Sequence, residues 1–147
     1  MIERGDVVLN PNNIKTGIKV SDWREAIRAA GDILVDVGSC ETGYVDAMVS
    51  SVEELGPYIV ITPHVALAHA RPSADVKIAD MSLVVLDEAV EFGSEANDPV
   101  KLVFAFCATD NESHLEKLGS LAKNLNPDTI NELLNAKGVD EVLAILS

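Results

Sequence analysis

Between Ser21 and Val37 the apolar residues Trp23, Ala26, Ile27, Ala30, Ile33, Leu34 and Val37 recur at helical intervals. Ser21 or Asp22 can cap the helix they predict, and Asp22 with Glu25 has capping-box spacing. Gly31 weakens this helix without ending it, and Gly38 supplies a stop. A second helix is predicted from Thr42 to Leu55, with Val45, Met48, Val49 and Val52 as its apolar stripe. Gly56-Pro57 ends it, because proline lacks an amide hydrogen and disfavours helix in the residue before it.

The period then changes. Tyr58-Ile59-Val60-Ile61 is aromatic and β-branched and reads as a short strand, interrupted at Pro63 and followed by Val65-Ala66-Leu67-Ala68. Met81 to Leu86 and Lys101 to Cys107 are two further strands, and Ala89 to Phe92 a short edge strand. These runs are apolar at successive positions, as in a sheet covered on both faces. The first twenty residues are turn-rich around Asn10-Pro11-Asn12-Asn13 and Thr16-Gly17, with Asp6 to Leu9 as a short strand.

Helices return after Asp110 or Asn111, on a segment carrying His114, Leu115, Leu118, Leu121, Ala122 and Leu125. Asn126-Pro127-Asp128 breaks it and opens a short helix through Ile130, Leu133 and Leu134, stopped by Lys137-Gly138, before a last helix from Asp140 to Leu146. Helices, then strands, then helices predict an α/β fold: a three-layer α/β/α sandwich with a small mixed β-sheet flanked by helices.

At 147 residues the chain fits one domain spanning 1–147, long enough to bury roughly 68–70% of its unfolded surface. The 48% apolar content excludes intrinsic disorder. A formal charge of −13 and a sequence pI of 4.4 exclude a nucleic-acid binder and an anionic membrane surface. No signal-peptide pattern opens the chain, and the longest apolar run, Leu102 to Ala108, is far short of a membrane span, so a soluble cytoplasmic protein is expected. Cys40 and Cys107 are too few and too far apart for a disulfide framework, and Cys107, inside the apolar run, reads as a buried free thiol. The acidity is uneven. No base falls between Arg28 and Arg71, where Asp32, Asp36, Glu41, Asp46, Glu53 and Glu54 lie, and none falls from Ile78 to Val100. Solvated surface explains most of these residues; a steering field for a basic partner is the sharper explanation.

The candidate chemistry lies in the histidines His64, His69 and His114. His69 follows a strand, sits among Ala66, Ala68 and Ala70, and precedes Arg71-Pro72. The small neighbours are expected to leave its ring accessible. Four roles compete for it. The default is a structural histidine bonded to a carbonyl. A metal site from His64, His69 and His114 lacks any supporting ligand framework. A hydrolase triad lacks a Gly-x-Ser-x-Gly elbow. The fourth role is a nucleophile that forms a covalent intermediate.

The stretch from Gly56 to Pro72, Gly-Pro-Tyr-Ile-Val-Ile-Thr-Pro-His-Val-Ala-Leu-Ala-His-Ala-Arg-Pro, resembles the active-site segment of the IIA domains of the bacterial phosphoenolpyruvate-dependent sugar phosphotransferase system. The resemblance is to the mannitol/fructose type, in wording closest to its ascorbate members. It takes in Trp23 to Arg28, Leu34-Val35, Tyr44 to Met48, Asp98-Pro99-Val100, His114 to Ala122 and Val139 to Leu143, and leaves out the first twenty residues. It implies that His69 accepts a phosphoryl group from the phosphohistidine of the carrier HPr and passes it to a partner IIB domain, to a cysteine in the ascorbate and fructose types. The resemblance further implies that the sugar is phosphorylated as the IIC membrane protein imports it. It also implies that His114, at the start of a helix, lies near His69 and stabilises the phosphoryl group; the competing role for His114 is a first-turn residue facing water. No cofactor and no metal are implied.

Two departures favour the ascorbate subgroup. Mannitol-type relatives carry an arginine near the end of the second helix, where this chain reads Ser50-Ser51-Val52-Glu53-Glu54. Arg71 either supplies that positive charge or is an exposed strand-end residue. His64 has no counterpart in the motif, which favours a structural or merely exposed role. The alternative functions are a regulatory IIA-like protein that signals by binding while phosphorylated on the same histidine, and a binding module that is never phosphorylated. Retention of both His69 and His114 argues against the last. Family members of HPr present basic residues around their phosphohistidine, which would make HPr the basic partner of this acidic chain.

Overall fold

The structure, a computed structural model, describes residues 9–110 and 125–146. Its centre is a five-stranded sheet: β1 (Ile14–Ile18), β2 (Val60–Thr62), β3 (Val65–Ala68), β4 (Asp80–Val90) and β5 (Val100–Cys107), in the order β1-β4-β5-β3-β2. β1 runs parallel to β4 and β3 parallel to β5, while the β4–β5 and β2–β3 pairs are antiparallel. The sheet is mixed, as the strand runs predict. Four helices are described: α1 (Trp23–Asp36), α2 (Thr42–Leu55), α3 (Pro127–Leu134) and α4 (Val139–Ile145).

Both faces of the sheet are buried, and alternation along each strand sorts its side chains between two cores. Ala66, Ala68, Val84, Leu86, Val103, Ala105 and Cys107 pack with α1 and α2. Val65, Leu67, Leu83, Val85, Leu102, Phe104 and Phe106 face the opposite way and pack with Ile130 and Leu133 of α3 and Val142 of α4. The three-layer arrangement follows directly.

Helix starts and stops match their sequence signals. The Glu25 amide donates to Asp22 Oδ1 at 3.0 Å, and Glu25 Oε1 accepts from the Ser21 amide at 2.7 Å, so the box closes on the residue before the cap. Gly38 takes a φ of +84° just beyond α1, a conformation glycine adopts without cost. Gly31 has a second role. A Cβ there would come within 2.8 Å of Met48 Cε and 2.9 Å of both Val45 γ-carbons, so its bare backbone lets α2 lie close against α1.

Several boundaries differ from expectation. The edge strand near the N-terminus is Ile14–Ile18; Leu9 lies outside any strand and Asp6 to Val8 lie outside the described residues. Asn12, Asn13, Thr16 and Gly17 disguise β1, which exists because the exposed edge of β4 offers a parallel partner, with a register shift at the positive-φ Gly17. No separate edge strand forms at Ala89 to Phe92: Ala89 and Val90 are the end of β4, which lies inside the sheet between β1 and β5 and shifts register between Val85 and Val90, and Glu91 and Phe92 lie outside any strand. β2 is shorter and later than Tyr58 to Ile61. The helix expected after Asp110 lies outside the described residues. Among the described residues no helix is long and apolar enough to cross a membrane.

Gly31→Val should overpack the α1–α2 contact and lower the unfolding free energy by about 1–3 kcal/mol. Urea denaturation at unchanged slope would read this as a lower midpoint. Wild-type stability in this variant would mean that the two helices do not pack this closely.

Candidate active site

β3 lies between β5 and β2, and all four of its residues are buried. His69 is the first residue beyond it. Because β3 and β5 are parallel, the chain leaving β3 and the chain leaving β5 emerge at one edge of the sheet, where the antiparallel β4 begins at Asp80. Alternation directs the His69 ring to the face of Leu67 and Phe106. The ring is stacked on Phe106 with centroids 5.8 Å apart, and meets Tyr58 edge-on at 5.6 Å.

Ala66, Ala68 and Ala70 do not clear space around the imidazole, contrary to expectation. They belong to the other core, beneath α1 and α2, where their small size admits the helices. Among the described residues, the rings that meet the imidazole are those of Phe106 and Tyr58.

His69 Nδ1 lies 2.9 Å from the Leu67 carbonyl oxygen. A carbonyl only accepts, so Nδ1 carries the hydrogen, and the lone pair of the neutral ring is on Nε2. Burial pushes the His69 pKa below its ordinary 6.5, with the Leu67 carbonyl opposing this in part. The neutral form is therefore favoured near neutral pH. A neutral imidazole with an oriented Nε2 lone pair is equipped for nucleophilic attack.

The backbone beyond His69 is held by a residue that the sequence signals did not single out. Tyr44 of α2 is fully buried, and its hydroxyl accepts from the Ala70 amide at 3.0 Å. The Ala70 and Phe106 carbonyl oxygens lie 2.9 and 3.1 Å from the same hydroxyl, within reach of its one hydrogen. Leaving a buried amide unpaired costs about 1–3 kcal/mol, so this hydroxyl matters to the edge. Tyr44 stands at helical spacing before Met48 and Val52, a signal that could have added it to the α2 stripe.

The chain matches, over residues 7–147, the family described as "Phosphoenolpyruvate-dependent sugar phosphotransferase system, EIIA 2". It belongs to this family. It is 34% identical over 143 residues, covering 96% of this chain and 93% of the relative, to the ascorbate-specific PTS system EIIA component of Salmonella typhimurium. It is also similar to enzyme IIAMTL of Escherichia coli, solved in complex with phosphorylated enzyme IIBMTL, with a TM-score of 0.83 and 34% identity over 95% of this chain and 96% of that one. The nitrogen regulatory protein IIA-Ntr of Neisseria meningitidis aligns with a TM-score of 0.80 and 27% identity over 97% and 98% of the two chains.

The remaining candidates of this EIIA chain fall in different places. His64 is at the opposite end of β3 from His69, so the two do not converge on a metal. It turns β2 into β3 with a φ of +72°, and its Nδ1–H donates to the Pro99 carbonyl at 2.8 Å, a structural role. Arg71 is exposed two residues past His69, with no ion pair among the described residues. His114 lies outside the described residues. In the Ser50-to-Glu54 stretch, which holds no arginine, Glu53 of α2 pairs with Arg24 of α1 at 3.1 Å. Cys40 and Cys107 are buried free thiols, and Cys107 donates to the Ile78 carbonyl at 3.3 Å.

The lowered His69 pKa has a definite sign. The folded ring binds fewer protons than the unfolded one just below 6.5, so stability rises with pH through that window and is lost as pH falls. An NMR titration of the unphosphorylated protein should place the ring midpoint below 6.5, and His69→Gln should flatten the stability profile there. A midpoint at or above the ordinary value would refute the desolvated ring.

Proposed function

We propose that this EIIA chain is a cytoplasmic phosphoryl carrier in which His69 accepts a phosphoryl group from phospho-HPr and hands it to a cognate IIB component, for uptake of ascorbate or a related sugar through IIC. The observation that carries this is the hydrogen bond from Nδ1–H to the Leu67 carbonyl, which orients a neutral ring with its lone pair on Nε2.

In the first step the Nε2 lone pair attacks phosphorus. The Nε2–P bond forms as the N–P bond of the donor's phosphohistidine breaks, and that bond's electron pair returns to the donor's ring nitrogen. Nδ1–H stays on the Leu67 carbonyl, which offsets the positive charge gained by the ring. In the second step a IIB cysteine thiolate attacks the same phosphorus, and the Nε2–P electron pair returns to His69. Positioning and charge stabilisation supply most of the catalysis in such transfers. His114 stabilises the phosphoryl oxygens in this scheme, with Arg71 in a supporting role.

The acidity has a narrower meaning here. Glu41, Asp46 and Glu53 are paired with Lys77, Arg28 and Arg24, each across an exposed contact. Such pairs contribute only about 0–1 kcal/mol each. Asp32, Asp36 and Glu54 are the acids of that block without such a pair among the described residues, and they remain to attract a basic HPr. The alternative, a regulatory protein that signals by binding, draws on the likeness to the nitrogen regulatory IIA-Ntr.

Incubation with phosphoenolpyruvate, enzyme I and HPr should place acid-labile phosphate on His69 of the wild type and none on His69→Ala. His114→Ala should fold normally and transfer more slowly, and transfer from HPr should slow as salt rises. An unlabelled wild type would sink the carrier proposal, and equal labelling of His69→Ala would sink the site. Discharge onto an ascorbate-type IIB cysteine separates transport from a regulatory protein that discharges onto none.

A further inference from the structure

The parallel ladder between β3 and β5 stops one step before its register requires. The His64 carbonyl accepts from the Leu102 amide at 3.1 Å, and Ala66 and Ala68 stand opposite Val103 and Ala105. In a parallel ladder the bonding residues of a strand alternate, so the next bond would run from the Ala70 amide straight to the Phe106 carbonyl. The Tyr44 hydroxyl occupies that place, 3.0 Å from the Ala70 nitrogen and 3.1 Å from the Phe106 oxygen. The strands are parted there by one oxygen atom.

We propose that Tyr44 is a positioning residue for His69: its hydroxyl, inserted as the last rung between β3 and β5, sets the backbone from which the imidazole projects and the spacing of that ring from Phe106. The inference rests on His69 being the phosphoryl acceptor. Both rung partners act on the ring. Ala70 follows His69 directly, and Phe106, whose carbonyl meets Tyr44, stacks its own ring on the imidazole. Tyr44 reaches the rung from the α1–α2 core, whereas the His69 ring lies on the other face, so the tyrosine acts without touching the reacting atoms. Burial pushes the Tyr44 pKa up, which keeps the hydroxyl a donor at working pH. Ala70 is the complement of this arrangement, since it packs in the same core as Tyr44 and a larger side chain there would crowd the approach.

Tyr44→Phe removes the oxygen and lets the two strands close on each other, drawing His69 with them. The folded variant should transfer phosphate from phospho-HPr about ten- to a hundredfold more slowly, with the half-saturating HPr concentration unchanged because the docking surface is intact. Nitrogen NMR of the unphosphorylated protein should show a loss of the Nδ1–H tautomer of His69. Ile33→Val, a buried α1 substitution, serves as the control for lost stability alone and should change neither readout. Wild-type transfer and ring signals in Tyr44→Phe, or equal slowing in Ile33→Val, would overturn the proposal. Should Tyr44→Phe fail to fold, hydrogen exchange of the wild-type protein decides: the Ala70 amide should be protected, and exchange at the rate of an open loop would overturn the rung. The ring spectrum needs no phosphate, so it judges Tyr44 even if the wild type proves not to be labelled, which would instead defeat the carrier proposal.

Discussion

The parallel pairing of β3 with β5 is the contact on which the architecture of the site depends. Two parallel strands must end at the same edge, so the residues following Ala68 and those following Cys107 emerge side by side although nearly forty positions separate them in sequence. Such pairing is stable only when both faces are covered. The helices α1 and α2 on one side and α3 and α4 on the other supply that cover, with Ala66, Ala68 and Ala105 keeping the first interface thin. The position of His69 at the mouth of a buried sheet is thus a consequence of how the core is filled.

The same burial sets the chemistry of the ring. Removal from water disfavours the imidazolium, and the Leu67 carbonyl fixes which nitrogen holds the hydrogen. Phe106 and Tyr58 fix the plane. An exposed histidine would be a mixture of tautomers and orientations; here each is selected by a neighbour that itself belongs to the fold. Charge works on a longer scale. Pairing of α1 bases with α2 acids offsets part of the local acidity.

Much of this was legible in sequence because it depends on local signals. Asp22 and Glu25, Gly38, and Gly56-Pro57 mark helix ends through hydrogen bonding and backbone geometry that nearest neighbours decide. The helical and strand periods of the α1, α2, β3 and β5 segments are equally local, and with the Gly56 to Pro72 motif they named His69. The misreadings have a common cause. β1 and the long β4 are defined by which strand lies beside them, and the alanines around His69 do not open its ring because local identity does not say which way a strand turns its side chains.

By itself, then, the sequence determined most of the elements, the layered class and the identity of the candidate nucleophile, since periodicity, caps and a contiguous motif are properties of neighbouring residues. Tertiary structure alone decided the order of strands, the aromatic walls around His69 and the place of the Tyr44 hydroxyl. These depend on contacts between residues far apart in the chain, such as Tyr44 with Phe106 or His69 with Phe106, and such contacts exist only once both sides of the sheet are buried.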